Sequence, residues 1–186
     1  MASLSFRRAT SADVGRIAEI HVAGWRVAYT GLIDESALAE RTVDKRETEW
    51  AELFAGAAYP DHSVYVVEQA GEIAGFARIG PSDDADVEST STMNVFALYL
   101  DPALRGKGLG RRLLNHVLEL ASAAGYSLAT LYVLVENDAA RRFYEKLGWQ
   151  AEPDVVTDCL GDGAEALQLR YRLELSRSGT TGNGSP

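Results

Sequence analysis

A chain of 186 residues can bury a full core and is of a size for one domain, with or without appendages. Its net charge of -9 argues against nonspecific nucleic-acid or anionic-membrane partners, and no apolar run reaches membrane-spanning length. The single cysteine, Cys159, excludes an intrachain disulfide, reads as an inert buried thiol and fits a reducing compartment.

The opening "MASLSFRRAT" lacks the apolar stretch of a signal peptide, so the expected location is cytoplasmic. Within it "LSFRR" reads as a first strand. "TSADVGRIAEIHVAGWRVAY" predicts a helix with Thr10 or Ser11 as cap and Val14, Ile17, Ala18, His21 and Trp25 at helical spacing. "DESALAERTVDKRETEWAELFAG" gives one or two further helices ending near Gly56. "HSVYVVEQAGEIAGFARIG" is an antiparallel hairpin turning at Gly71, followed by an acid-rich loop, "PSDDADVESTST".

"MNVFALYL" is almost continuously apolar and reads as a buried central strand ended by Asp101-Pro102. "GRRLLNHVLELASAAG" is an amphipathic helix with Gly125 placed to stop it. "LATLYVLV" is a second buried strand, "NDAARRFYEKLG" a short capped helix, and "WQAEPDVVTD" and "EALQLRYRLEL" two closing strands. Two buried strands joined through a helix imply a parallel pair, residues 95–100 beside 129–135, with a right-handed crossover. The expected fold is therefore α/β: a mixed, mostly antiparallel sheet of six or seven strands with a central parallel pair and flanking helices. Residues 1–175 form one domain in this reading, and 176–186, "SRSGTTGNGSP", a flexible tail.

Between the central strand and its helix stand Gly106, Gly108 and Gly110, flanked by Arg105, Lys107, Arg111 and Arg112. A glycine-rich turn into a helix N-terminus exposes backbone N–H groups at the positive end of the helix dipole, which suits a phosphate. The spacing rejects a Walker A loop, for which no G-x-x-x-x-G-K-[ST] string exists, and a dinucleotide fingerprint, which would need glycine at Arg111 or Leu113.

What matches is R-x-x-G-x-G, Arg105-x-x-Gly108-x-Gly110, after "LYLDP". This resembles the pyrophosphate-binding motif of the GNAT superfamily of N-acetyltransferases. Downstream, "VLVENDAARRFYEKLGW" is similar to that family's second signature, and upstream "WRVAYTGLIDESAL" is similar to an acceptor-side segment of many bacterial members. The resemblance implies an N-acetyltransferase that uses acetyl-CoA as co-substrate, without a metal, on a primary amine of a small molecule or peptide. A non-catalytic acyl-CoA-binding module of the same fold is the alternative, and a homodimer stays open.

Residue by residue, the resemblance implies that Leu98, Tyr99 and Leu100 bond the pantetheine arm through their backbone. Arg105, Gly106, Lys107, Gly108, Leu109, Gly110 and Arg111 would cradle the pyrophosphate. Asn137 would help hold the cofactor arm where the parallel strands splay, and Tyr144 would donate a proton to the departing sulfur. Trp25 and Tyr29 would wall an acceptor pocket, or simply pack their helix. Tyr144 has a packing reading too, because Ala140, Phe143 and Leu147 share its helix side.

Freeing the lone pair of a lysine-like amine at neutral pH costs about 4–5 kcal/mol, whereas expelling a thiolate costs about 2 kcal/mol. A base is thus the larger requirement. Relatives resembling this chain carry glutamate where Asn94 aligns, and an amide cannot serve. The candidates are Glu88 in the acidic loop, His21, or a water held by backbone carbonyls. Asp83, Asp84, Asp86 and Glu88 would rim the acceptor mouth and attract a cation, or only solubilise the loop.

Overall fold

The computed structural model describes residues 3–56, 63–159 and 165–176. Strand β1 (Leu4–Arg8) leads through a single 3-10 turn into helix α1 (Val14–Tyr29), followed by α2 (Glu35–Glu40) and α3 (Val43–Phe54). The entry to α1 is held by Asp13, whose carboxylate accepts from the Thr10 N–H at 2.7 Å and pairs with Arg7 at 2.8 Å. The Thr42 hydroxyl caps α3 by accepting from the Lys45 N–H at 3.3 Å. Strands β2 (Ser63–Gln69) and β3 (Glu72–Pro81) follow. Ala70 and Gly71, at φ +56° and +87°, join them in a two-residue turn whose twist matches the strands it connects.

Next come β4 (Thr92–Leu100), α4 (Leu109–Ala123), β5 (Leu128–Leu134), α5 (Asp138–Glu145), β6 (Gln150–Cys159) and β7 (Glu165–Glu174). The seven strands make one sheet of order β1-β2-β3-β4-β5-β7-β6. All neighbours are antiparallel except β4 and β5, which run parallel. The expected mixed sheet is thus present with seven strands. The last strand in sequence lies inside, and β6 takes the edge, where Pro153 falls in the register break between Ala151 and Val155 and withholds no ladder donor that a neighbour needs.

One core lies on each face. Ile17, Ile20 and Trp50 of α1 and α3 pack on Val66 and Phe76. Leu113, Leu114 and Val117 of α4 pack on Met93, Leu131 and Tyr171 from the other side.

The parallel ladder is short. Thr92, Met93 and Asn94 pair with Leu128, Ala129 and Thr130, so residues 95–100, expected to pair along their length, instead leave β5. The cause lies on the opposite edge. Against β3, Ala97 pairs with Arg78 and Val95 with Ile79, which leaves Phe96 as an extra residue. A bulge bends its strand and shifts the side-chain alternation by one. Met93 and Val95 face the α4 core before it, as do Leu98 and Leu100 after it, while Ala97 and Tyr99 turn to the α1 side. The fold thereby opens a wedge in mid-sheet.

Among the described residues no helix is long and apolar enough to cross a membrane. Ser176 is described, with its carbonyl accepting from the Ser122 hydroxyl at 3.0 Å. The rest of the expected tail and the Cys159 side chain lie outside the described residues.

Candidate active site

One wall of the wedge is the glycine turn. Asp101 shapes it by accepting from the Ala103 N–H at 2.9 Å, and Arg16 of α1 clamps the same carboxylate. Gly106 and Gly108 sit at φ +78° and +74°, which residues with a Cβ adopt only with strain. Leu109 is buried and pins the start of α4 to the core. Gly110 packs against Leu100, whose Cδ1 a Cβ at this position would meet at 3.3 Å. Among the described residues no backbone carbonyl accepts from the N–H groups of 106–111; the first α4 amide with an acceptor is Arg112, bonded to the Gly108 carbonyl at 3.1 Å. Six consecutive donors at the positive end of a 15-residue helix can receive an anion of phosphate type.

The second wall is the free edge of β4. The Asp101 N–H donates to the Ala74 carbonyl at 2.9 Å. Strand alternation then turns the amides of Leu98 and Leu100 away from β3, toward the space β5 has left, and turns the Tyr99 backbone toward β3. Tyr99 contributes to the site through its ring, 4.7 Å from His21 and packed against Gly24 of α1. Across the wedge, Asn137 caps α5 by accepting from the Ala140 N–H at 3.1 Å.

On the α1 side of the sheet a cavity of about 620 Å³ opens beside the same wedge. Its walls include His21, Trp25, Tyr29, Asn94, Phe96 and Tyr99, together with three arginines, Arg41, Arg46 and Arg78. Arg41 is buried, and its guanidinium lies 3.4 Å from the Trp25 ring centre, a cation–π contact. Trp25 Nε1 is buried and has no acceptor among the described residues. His21 Nδ1 accepts from Trp50 Nε1 at 3.2 Å. Burial, and after it the charges of Arg46, Arg41 and Arg78, push the His21 pKa down to about 3.

A phosphate-ready turn, a strand edge freed by a bulge and a cavity thus lie side by side. The sequence model of the acetyltransferase (GNAT) family matches residues 29–149. The chain belongs to this family.

Its relatives and neighbours agree. This acetyltransferase is 31% identical over 147 residues to the L-amino acid N-acyltransferase MnaT of Escherichia coli strain K12, covering 78% of this chain and 79% of that one. It is 30% identical over 147 residues to the L-methionine sulfoximine/L-methionine sulfone acetyltransferase of Salmonella typhimurium strain LT2, covering 78% and 80%. The PaiA N-acetyltransferase of Thermoplasma acidophilum, solved with coenzyme A, shares the fold at TM-score 0.73 and 18% identity, covering 92% of this chain and 99% of that one.

In this acetyltransferase Trp25 and Tyr29 do line the cavity, their rings 4.0 Å apart. Tyr144 packs against Trp149 and Tyr171 at 5.8 and 6.4 Å, so the packing reading holds for its ring. Burial, then the nearby Tyr29, raises the pKa of its phenol, and Tyr99 and Tyr144 also interact electrostatically. The three hydroxyls therefore share one region.

Other expectations need correction. Glu88 is exposed and is not among the cavity-lining residues; its carbonyl accepts from Ser91 and Thr92 and closes the loop. His21 spends its Nδ1 lone pair on Trp50 and is held neutral, so it is a donor and no base. The acidic loop does not rim the cavity as a block. Asp84 and Asp86 pair with Arg170 at 3.2 and 2.5 Å, and Tyr132 donates to Asp84 at 2.6 Å. The sequence reading missed the three arginines. Arg78 offered a signal, a lone cation within the apolar strand "IAGFARIG", where a charge is costly without a purpose.

Proposed function

We propose that this acetyltransferase moves an acetyl group from acetyl-CoA to the primary amine of a small acceptor that also carries a carboxylate or a similar oxyanion. The observation that carries the acceptor class is the cavity lined by Arg41, Arg46 and Arg78 beside the wedge. Guanidinium groups match planar oxyanions, and a cavity of about 620 Å³ suits a small molecule. Activity on L-amino acids and on methionine sulfoximine, named for two relatives, supports the same class.

The residues present fit coenzyme A. The amides of 106–111 would hold the pyrophosphate, with Arg105 and Lys107 beside them. The amides of Leu98 and Leu100 would bond the pantetheine, opposite Asn137 on α5. When bound, acetyl-CoA supplies an acyl group activated as a thioester. The cavity arginines act on the acceptor in two ways. They fix its anionic end, and their positive charge lowers the pKa of its ammonium, easing the proton loss that precedes attack. An acidic rim would have done the reverse. Tyr144, whose phenol is protonated at neutral pH, would give its proton to the departing sulfur.

Thiol release from acetyl-CoA across a panel of amines, amino acids and short peptides tests this. Turnover is expected with amino acids and their oxyanion analogues; turnover restricted to polyamines or protein lysines would overturn the acceptor class.

A further inference from the structure

Acetyl transfer to an ammonium needs a proton acceptor, and naming that acceptor rests on the transfer reaction proposed for this site. Among the described residues the carboxylates lining the cavity are Asp83 and Asp84. Asp84 is committed: it accepts from Tyr132 at 2.6 Å and Ser82 at 3.1 Å, and lies 3.2 Å from Arg170. Its oxygens are thus engaged by three side chains of the protein itself. His21 has no free lone pair, because Trp50 takes Nδ1 and a neutral imidazole then carries its proton on Nε2. Asn94 is an amide, and its Oδ1 accepts from Thr130 at 3.3 Å.

Asp83 is left. It is exposed at the cavity wall and makes no hydrogen bond or ion pair with the described residues. The register fixes where it stands. Gly80 pairs with Asn94 and Pro81 with Met93, and the Ser82 N–H donates to the Thr92 carbonyl at 2.9 Å. Asp83 therefore leaves the sheet beyond Thr92, three positions along from Asn94, and the Tyr132–Asp84 bond at 2.6 Å holds the loop that it begins against the cavity wall.

We propose that Asp83 is the catalytic base of this acetyltransferase. Its carboxylate takes one proton from the acceptor's ammonium, directly or through water in the cavity mouth. The freed nitrogen lone pair forms the C–N bond to the acetyl carbon, and the C–S bond breaks with its electron pair going to sulfur. The sulfur takes the Tyr144 proton, the second proton leaving nitrogen restores Tyr144, and Asp83 gives the first to solvent. One ammonium and one thioester thus yield one amide, one thiol and one released proton.

The test compares wild type with Asp83→Asn and Asp83→Glu on one amino-acid acceptor, reading kcat and KM from pH 6 to 10 beside acetyl-CoA Kd and melting temperature. With the base removed, kcat at neutral pH falls about a hundredfold, while Kd and Tm stay put. Activity then climbs about tenfold per pH unit up to the acceptor's own pKa, as the amine loses its proton in solution, and Asp83→Glu recovers most of kcat. Unchanged kcat, or a rise confined to acceptor KM, overturns the assignment and makes Asp83 a surface or ammonium-pairing acid. No turnover by wild type with any amine overturns the parent reading and this one together.

Discussion

Tyr144 is both a half-buried packing residue and a candidate acid. Its ring packs with Trp149 and Tyr171, and burial raises further the pKa of a phenol that is protonated at neutral pH in any setting. Tyr171 steadies α5 from below, donating to Glu145 at 2.8 Å and accepting from Arg141 at 3.3 Å. Tyr144→Phe keeps the ring and removes only the hydroxyl, which has no hydrogen-bond partner among the described residues. A thiolate is a fair leaving group, so kcat should fall about thirtyfold, near 2 kcal/mol. Melting temperature and acetyl-CoA Kd should hardly move. Wild-type kcat in a folded Tyr144→Phe protein would leave the residue as packing alone. The sequence could not settle this, because the helix spacing that buries Ala140 and Phe143 also buries Tyr144, and spacing says nothing of where a hydroxyl points.

At the scale of elements, the glycine turn does two jobs that the sequence made legible: it lets the chain reverse and it leaves its amides free. Gly108→Val tests both. At φ +74° a β-branched residue is strained by about 1–2 kcal/mol, and relaxing that strain redirects the amides. Calorimetry should show acetyl-CoA binding weakened about tenfold or more, equivalent to about 1.4 kcal/mol, in a protein with an unchanged circular dichroism spectrum. Unchanged affinity would contradict the cradle. Element types and order were readable from periodicity, and Gly71 and Gly125 marked their turns. The bulge at Phe96 was not, because "MNVFALYL" is apolar but for Asn94 and a strand without alternation carries no phase to break. Nor did spacing show β7 slipping between β5 and β6, since both closing runs read as strands with no sign of order.

Across the whole molecule, charge is sorted by pairs far apart in sequence, which is why an acidic chain has an arginine-lined cavity. Arg170 gathers Asp84, Asp86 and Glu152 and draws the acidic loop onto the sheet, while Arg41, Arg46 and Arg78 converge from α2's end, α3 and β3. His21 stands beside that convergence and is held neutral by desolvation first and by the three arginine charges after it. Its ordinary pKa is 6.5, and in the folded chain it is about 3. Below pH 6.5 the unfolded chain binds a proton that the folded chain refuses, so stability is full above that pH and declines as pH falls, by about 1.4 kcal/mol per unit. Chemical denaturation at pH 7 and pH 5 should therefore show wild type losing about 1–2 kcal/mol more than His21→Gln. Equal losses would mean that the imidazole is not held neutral. The paired acids act lower: Asp13 and Asp86, held at about 2 by Arg7 and Arg170, give up their stabilisation only as pH falls below about 4.

The central claim, that arginines select the acceptor by its oxyanion, is tested most directly by kcat/KM for an L-amino acid and its primary carboxamide. The two differ only at the group the cavity would grip, and the carboxamide's amine is easier to deprotonate, so chemistry alone favours it. Pairing with the cavity's guanidinium groups should outweigh that, favouring the free acid by about thirtyfold, near 2 kcal/mol, with the preference lost in Arg78→Gln. Equal rates, or a faster carboxamide in the wild-type enzyme, would contradict the account.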